Sequence, residues 1–534
     1  MTPCPALRSF CPRSVLAALA GSLLPFAGSS AAGAAGAPGI SLGEFTGPKA
    51  TLLAIDDYAL PLRKDLCYYL STPTVRTEPV LTPSRDHPHA TDTALANCYG
   101  TVLRENGKFR MWYYGMESVP SELHQGSGLR AAHHEGPVCY AESVDGLHWT
   151  KPNLGQVSFH GGSDNNAIAL PAEETEGAFI IRDDSDPDPA RRYKMIYENC
   201  SGPRPVVESA LSADGIVWVG HGLVARLLEP SSFYRFNGLF TVNAQNVAHV
   251  SEGGHQGGRQ GFAWFSPDFD HWLPESGESF LLPEPANPND RGHDRQYLQV
   301  HLGVGAVSYG NVMVGLYCQW HDGAMPGDWF GIGRTFGDFG LLVSSDGQHF
   351  REPVKGHVFL SRHRSPARIA PDIRAEEVLT QSGNSILNVG NETWIYHGRW
   401  MNAENPKDWY TEIALATLPR DRWGALGLVP HAEAGTVWSA PLTLAAGARV
   451  ALNADGMRDC RLELADADFN LLPEYSGANA GTVAASAGLD CAVNWPRGAP
   501  DSLSGRRVRL LIHLKRSGPI EPRLFAITVA AGGT

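Results

Sequence analysis

The chain has 534 residues, of which 43% are hydrophobic, and its formal net charge is −13 at pH 7. This length exceeds one ordinary domain and permits a large core. No basic stripe interrupts the acidic balance, which argues against a nucleic-acid partner. The 58 glycines and 38 prolines imply many turns and favour an all-β protein.

The N-terminal segment is expected to be a signal peptide that ends near Ala34. Arg8 and Arg13 supply its positive charge, residues 15–26 form a short apolar stretch, and Ala32 begins a small-residue cleavage site. A retained membrane anchor is the alternative interpretation. Export predicts a secreted or periplasmic protein, with no membrane span after the signal is removed.

A short serine-led turn recurs along the chain, with an aspartate at its third position and an aromatic ring at its seventh. The copies are residues 143–149, 212–218, 266–272 and 344–350, with a degenerate fifth at 418–424. Such a repeat indicates one supersecondary unit copied around an axis. Asp-Gly between apolar runs is also typical of a hairpin turn. We therefore interpret the motif as structural, with its ring packed between neighbouring units.

Three strand-like runs precede each turn, and Val, Ile, Tyr, Phe and Trp dominate them. The predicted strands are residues 98–103, 108–115 and 138–143; 167–170 with 179–182, 193–199 and 206–212; 238–242, 247–250 and 261–266; 303–309, 312–319 and 339–344; and 385–389, 393–398 and 411–417. With a fourth strand after each turn, five repeats predict a five-bladed β-propeller. Residues 51–60 are expected to add the closing strand to the last blade.

From about residue 436 onward, short alternating strands without the turn motif predict a β-sandwich. The fold class is thus all-β, a propeller followed by a sandwich. The predicted divisions are a signal peptide at 1–34, the propeller at 40–430 and the sandwich at 431–534. Cys460 and Cys491 either pair there in an oxidising compartment or stay as buried thiols.

Several segments resemble one group of secreted bacterial proteins. They are residues 55–58, 99–113, 140–155, 163–168 and 186–195, with 452–455 and 510–514 near the C-terminus. The group is similar to glycoside hydrolase families 32 and 43 and combines a five-bladed propeller with a C-terminal β-sandwich. The resemblance implies a glycoside hydrolase activity and a carbohydrate substrate. The Asn-Asp-Pro and Arg-Asp-Pro segments of family 32 are absent, so no catalytic residue is transferred by motif.

Cleavage of a glycosidic bond needs two carboxyls, one to protonate the leaving oxygen and one to attack or to activate water. In a propeller we expect them where the innermost strands begin. The predicted catalytic residues are Asp164 and Asp294, with Asp57 or Glu377 as a third acid. The predicted substrate-binding residues are Asp92, Asn165, Asn166, Asn237, Arg295, Tyr297, His301, Trp320 and His321. Turn caps, surface ion pairs and packing between blades are the structural alternatives for these side chains.

Two other functions stay open. A non-catalytic carbohydrate-binding propeller would keep the aromatic and amide residues without a close acid pair. A sialidase-like enzyme would need three clustered arginines, for which Arg235, Arg295 and Arg399 are scattered candidates. No cofactor is expected, and a structural calcium ion in the propeller channel is an open alternative. The sequence does not indicate the sugar, the linkage or the oligomeric state.

Overall fold

The computed structural model describes residues 39–118, 133–202, 204–226, 229–247, 259–281, 299–321, 336–367, 377–380, 382–401 and 410–532. Across these ranges the regular secondary structure is nearly all β-strand, and its only helical pieces are short 3₁₀ turns. None of the helices in these ranges has the length and apolar character needed to cross a membrane. The predicted signal peptide lies outside the described residues.

Six short strands come first. They are β1 (Ile40–Leu42), β2 (Phe45–Gly47), β3 (Lys49–Leu53), β4 (Leu62–Lys64), β5 (Leu66–Leu70) and β6 (Thr74–Val75). Only β6 joins the repeated region, where it pairs with the last strand of the fifth repeat through Val75 and Ala416.

The repeats form antiparallel sheets, as predicted. Their strands are β7 (Leu95–Glu105), β8 (Lys108–Ser118), β9 (His133–Ser143), β10 (Thr175–Arg182), β11 (Tyr193–Asn199), β12 (Val206–Ser212), β13 (Val219–Arg226), β14 (Glu229–Phe236), β15 (Leu239–Val247), β16 (Arg259–Ser266), β17 (Gly277–Phe280), β18 (Gln299–Ser308), β19 (Met313–His321), β20 (Phe336–Ser344), β21 (Val358–Leu360), β22 (Glu377–Thr380), β23 (Ser382–Asn384), β24 (Ile386–Val389), β25 (Glu392–Met401) and β26 (Tyr410–Pro419). β10–β13 and β14–β17 are separate four-stranded sheets, and the other repeats share one larger sheet. This curled all-β architecture is consistent with a propeller-like fold.

One predicted first strand is right only in part and another is wrong. In the second repeat the predicted residues 179–182 lie in the first strand, but this strand begins at Thr175, and residues 167–170 make only an isolated bridge to the preceding repeat. In the third repeat it begins at Glu229, and the predicted residues 238–242 start the second strand instead. Asn237 and Gly238 both have positive φ, 48° and 82°, and form the hairpin turn between the two strands.

The closing strand predicted at residues 51–60 is also wrong. β3 pairs with a C-terminal strand, Leu52 opposite Ile527, and not with the last repeat. The C-terminal strands are β27 (Gly424–Leu428), β28 (Ala434–Trp438), β29 (Leu442–Thr443), β30 (Arg449–Asp455), β31 (Arg461–Asp466), β32 (Gly481–Val483), β33 (Gly488–Asn494), β34 (Arg507–Lys515) and β35 (Arg523–Ala530). They pair with β1 to β5, so the predicted boundary at residue 431 does not separate the two sets of sheets.

One apolar core lies between these N- and C-terminal strands. Leu52 and Val450 contribute from one side, and Leu464 and Ile512 from strands of the other sheet. These strands share this one core, and the sandwich architecture stays a prediction. Cys460 and Cys491 are both free and lie in this core.

The four serine-led turns share one hydrogen-bond pattern, and their structural interpretation is confirmed. In the first copy, Ser143 Oγ accepts from the Gly146 amide at 2.8 Å. Asp145 Oδ1 accepts from the amides of Leu147 and His148, both at 2.8 Å. Trp149 Nε1 donates to the Gly146 carbonyl at 2.9 Å. The same hydrogen bonds recur from Ser212, Ser266 and Ser344, apart from the indole bond, which Phe350 cannot make.

Each of these turns docks on the repeat that precedes it. Trp112 Nε1 of the first repeat donates to the Gly215 carbonyl of the second turn at 2.8 Å. Tyr234 of the third repeat donates to the Gly347 carbonyl of the fourth turn at 2.7 Å. The first turn docks in the same way on the fifth repeat, through Tyr396. The motif therefore joins neighbouring sheets.

Candidate functional site

The first strands of the five repeats meet at the centre of the repeated region. β7 contacts β10, β10 contacts β14, β14 contacts β18, β18 contacts β23 and β23 contacts β7. β22 to β24 together occupy the first-strand position of the fifth repeat. Side chains from distant parts of the chain can therefore meet at the ends of these strands.

Four of the innermost strands contain a β-bulge near their start. The register shifts fall after Asn97 in β7, Glu176 in β10, Pro230 in β14 and His301 in β18. A bulge leaves backbone groups unpaired and re-aims the neighbouring side chains, which is common beside functional sites. The bulges thus lie near the starts of the innermost strands, where the sequence analysis expects the site.

Polar side chains satisfy the backbone groups that the bulges release. Thr101 Oγ1 donates to the Ala178 carbonyl at 3.0 Å and accepts from the Ile180 amide at 2.7 Å, which joins β7 to β10. Ser232 Oγ donates to the Val304 carbonyl at 2.6 Å, which joins β14 to β18. These bonds hold the strand starts in fixed positions.

A buried aromatic group lies at this end of the strands. His301 stacks on Trp320, with ring centroids 4.3 Å apart and an interplanar angle of 16°. Tyr99 Oη lies 3.4 Å from His301 Nδ1, and the Trp400 ring lies 5.5 Å from both Tyr99 and His301. Among the described residues, the indole N–H of Trp320 and the amide nitrogen of Asn97 have no hydrogen-bond acceptor. Both are buried donors available to a ligand.

Carboxyls that the sequence analysis missed also lie at this end. Glu176 and Glu198 face each other across β10 and β11. Their carboxylate oxygens and the Cys200 sulfur all lie within 4.8 Å of one another, and Glu198 and Cys200 are buried. Glu229, the first residue of β14, accepts a hydrogen bond from Gln245. The sequence analysis expected catalytic acids where the innermost strands begin. Applied to the observed starts of β10 and β14, this expectation selects Glu176 and Glu229.

Two of the predicted catalytic acids are exposed. Asp164 is 54% exposed, and its carboxylate lies 3.8 Å from His87 Nε2 and 3.7 Å from His89 Nε2. Asp57 is 51% exposed, and its carboxylate lies 3.5 Å from Arg351 Nη2. The interactions described for these two carboxylates involve no second acid of the predicted set.

Three predicted binding residues of the first repeats make internal contacts. Asp92 is fully buried, accepts from the Tyr113 hydroxyl at 2.7 Å and lies 2.5 Å from Lys151 Nζ. Asn166 Nδ2 donates to the same Tyr113 hydroxyl at 2.9 Å. Asn165 Nδ2 donates to a loop carbonyl, also at 2.9 Å. These contacts agree with the structural alternatives, as does the place of Asn237 in a hairpin turn.

The structure brings His301 and Trp320 together, as described above. Glu377 is the first residue of β22 and His321 the last of β19. Asp294, Arg295 and Tyr297 lie outside the described residues. Their roles stay predictions.

Thiols near the aromatic group are poor nucleophiles. Burial raises the pKa of Cys98 to about 12. Burial, with a smaller contribution from Asp338, raises the pKa of Cys318 well above its usual value. Because only the thiolate attacks, both cysteines are inert at neutral pH. The acid and hydroxyl groups are therefore the reactive candidates among these residues.

No protein-family model matches the chain. The uncharacterized protein Rv1502 of Mycobacterium tuberculosis is 31% identical over 121 residues, which are 22% of this chain and 32% of that protein. The uncharacterized protein MT1551 of the same species matches to the same extent. The chain thus matches about a third of the length of these curated relatives.

The solved structures that the chain matches include proteins described as acting on carbohydrates. A glycosyl hydrolase from Bacteroides ovatus is 16% identical, with a TM-score of 0.44, over 70% of this chain and 97% of that one. The β-1,2-mannobiose phosphorylase of Listeria innocua is 13% identical, with a TM-score of 0.42, over 67% and 97%. A thermostable family-43 glycoside hydrolase is 12% identical, with a TM-score of 0.35, over 63% and 90%.

Proposed function

We propose that the chain is a secreted or periplasmic glycoside hydrolase whose site lies where the innermost strands of a five-bladed β-propeller begin. The observation that supports it is the pair Glu176 and Glu198, whose carboxylate oxygens lie within 4.8 Å of each other beside the start of β10. Acid-assisted glycosidic cleavage uses two carboxyls that flank the bond, and a close pair is typical of the retaining mechanism. The substrate is a poly- or oligosaccharide.

Electrostatic repulsion between the two carboxylates favours different protonation states for them, and therefore different roles. Two acids at this separation, one of them buried, favour a shared proton over two full charges. The protonated member donates to the leaving glycosidic oxygen. The ionised member attacks the anomeric carbon, and the first then activates water in the second step. Glu229, on the neighbouring strand and oriented by Gln245, is the third acid of this arrangement.

The aromatic group, together with the buried donors of Trp320 and Asn97, would bind the sugar. The Trp320 indole N–H and the Asn97 amide would donate to substrate hydroxyls, because neither has another acceptor among the described residues. His301 stacks on the Trp320 ring, and Tyr99 in turn contacts the His301 ring. Asp294 and Glu377 stay proposed as acids of the surrounding mouth.

The test is a screen of the mature protein on a panel of plant, algal and microbial glycans, with released reducing ends as the readout. Glu176→Gln and Glu198→Gln are each expected to lower turnover by about a hundredfold or more, the usual contribution of an acid–base group. Asp164→Asn is the matched control, because that carboxylate is exposed and paired with histidines. Undiminished turnover in both glutamine variants contradicts the assignment. Glycan binding without any turnover by the wild type favours the non-catalytic propeller.

A further inference from the structure

A cavity lies at the opposite end of the same innermost strands. It has a volume of about 850 Å³, and the ends of β7, β10, β14 and β18 line it. Asn384 lies at the inner end of the cavity. It pairs with Thr101 of β7, and the β7 residues that line the cavity begin at the next position, Val102. The Asn384 amide donates to the Ile180 carbonyl at 2.9 Å and to the Phe233 carbonyl at 2.5 Å. The cavity is therefore distinct from the proposed catalytic end.

Glu105 presents an unused acceptor to this cavity. Its side chain is 8% exposed, and Oε2 accepts from Arg110 Nη1 at 3.2 Å and from the Tyr193 hydroxyl at 2.8 Å. Oε1 is buried and makes no hydrogen bond with any described residue. Arg182 Nη1 forms an ion pair with this oxygen at 3.5 Å. A buried carboxylate oxygen without a donor indicates a missing ligand or water.

The charges that line the cavity are mostly paired with one another. Arg182 Nε donates to Asp184 at 2.8 Å. Arg235 Nη1 lies 3.4 Å from Asp183 and donates to Ser185 Oγ at 2.7 Å. Because acids and guanidinium groups alternate, the cavity has no strong preference for an anion or a cation. It suits a neutral molecule with donors and acceptors on adjacent atoms.

We propose that this cavity is a second binding site for a neutral mono- or disaccharide. Vicinal hydroxyls of the sugar donate to Glu105 Oε1 and accept from Arg182 and Arg235. The apolar lining, which includes Leu103 and Leu387, contacts the faces of the sugar ring. The volume lies within the ordinary range for small-ligand pockets. This site does not depend on catalysis at the other end of the strands.

The test uses the full mature chain and saturation-transfer NMR with D-glucose, D-mannose, D-galactose and cellobiose as probes. At least one sugar is expected to bind. Arg182→Ala removes a charged donor and is expected to weaken that binding by about tenfold or more. Ser308→Trp, at an exposed strand end, is expected to abolish it by filling the cavity.

Glu176→Gln is the matched control, since it alters the proposed catalytic end and should leave this affinity unchanged. Loss of sugar binding in Glu176→Gln, with retention in Ser308→Trp, would place the sugar at the other end and overturn the proposal. Absence of binding by all four probes, or tighter binding of inorganic phosphate, would also overturn it. None of these outcomes depends on whether glycans are hydrolysed.

Discussion

The Tyr396 hydroxyl donates a 2.8 Å hydrogen bond to the carbonyl of Gly146. The donor belongs to the fifth repeat and the acceptor to the turn of the first. The same kind of contact joins Trp112 of the first repeat to Gly215 of the second. One local motif therefore links repeats that are adjacent in sequence and also the two ends of the repeated region.

Tyr396→Phe is expected to lower the free energy of unfolding by about 1 kcal/mol, the net contribution of one buried hydrogen bond. The loss stays small because Trp149 also donates to the Gly146 carbonyl. Urea unfolding measures the change. Tyr58→Phe is the control, since that ring is 52% exposed. Equal effects of the two substitutions would show that the contact between the first and fifth repeats does not stabilise the fold.

The third turn places a phenylalanine where the other copies have glycine. Phe269 has φ of 72°, close to 74°, 77° and 76° for Gly146, Gly215 and Gly347, and its ring is fully buried. Loss of the buried ring is expected to destabilise the folded state by about 3–5 kcal/mol. Removing the strain of a left-handed backbone at a non-glycine residue stabilises it by only about 1–2 kcal/mol. Packing therefore outweighs strain at this position.

Phe269→Gly is accordingly expected to destabilise the protein by about 1–4 kcal/mol. Phe269→Ala removes the ring but keeps the backbone strain, so it should be the less stable of the two variants. Thermal or urea unfolding of both measures the order. A glycine variant as stable as the wild type would contradict the dominance of packing.

The turns were predictable because each one is specified by residues within a seven-residue window. The starts of β10 and β14 were not. Glu229-Pro-Ser-Ser lacks strand alternation, and its serines instead bond to a strand that lies about seventy residues later, at Val304. The pair Asp92 and Lys151 likewise forms between positions 59 residues apart. Contacts of this range decide where strands begin, and the misplaced starts hid Glu176 and Glu229.

Lys194 is 1% exposed, and its ammonium lies 3.1 Å from Asp183 and 2.8 Å from Asp186. Lys194→Met removes the buried cation from both carboxylates, which among the described residues keep only Arg235 and Arg191 beside them. It is expected to cost about 3–5 kcal/mol. Lys108→Met, at an exposed hairpin position, is the control. Urea unfolding at neutral pH measures both. A smaller loss of stability in Lys194→Met than in Lys108→Met would show that the ion pairs of Lys194 do not stabilise the fold.

The same variant has a predictable pH dependence. Burial raises the pKa of Asp186, but hydrogen bonds from Lys194, the Asp188 amide and Arg191 outweigh it and lower the pKa to about 2. Because this folded pKa is below the ordinary value, the stabilisation is present above about pH 4 and is lost as pH falls through about 2. The stability difference between wild type and Lys194→Met should therefore shrink at about pH 2.5.

His397, unlike Asp186, is buried in its neutral form. Burial, then the charge of Arg399, lowers its pKa from 6.5 to about 3, and its Nε2 lies 2.7 Å from Ser365 Oγ. The unfolded chain therefore binds a proton that the folded chain rejects between these pH values. Stability should fall by about 1.4 kcal/mol per unit as pH drops below 6.5. His397→Gln should remove this slope in urea titrations, and an unchanged slope would contradict the assignment.

The most direct test of the proposed catalysis is ¹H NMR of the first product released from a susceptible glycan. The Glu176 and Glu198 oxygens lie within 4.8 Å of each other, which is shorter than the separation of about 6.5–9.5 Å that accompanies inversion. We predict a first-formed reducing sugar with the anomeric configuration of the substrate, and no such product from Glu176→Gln. The inverted anomer, or undiminished product from Glu176→Gln, would contradict the account.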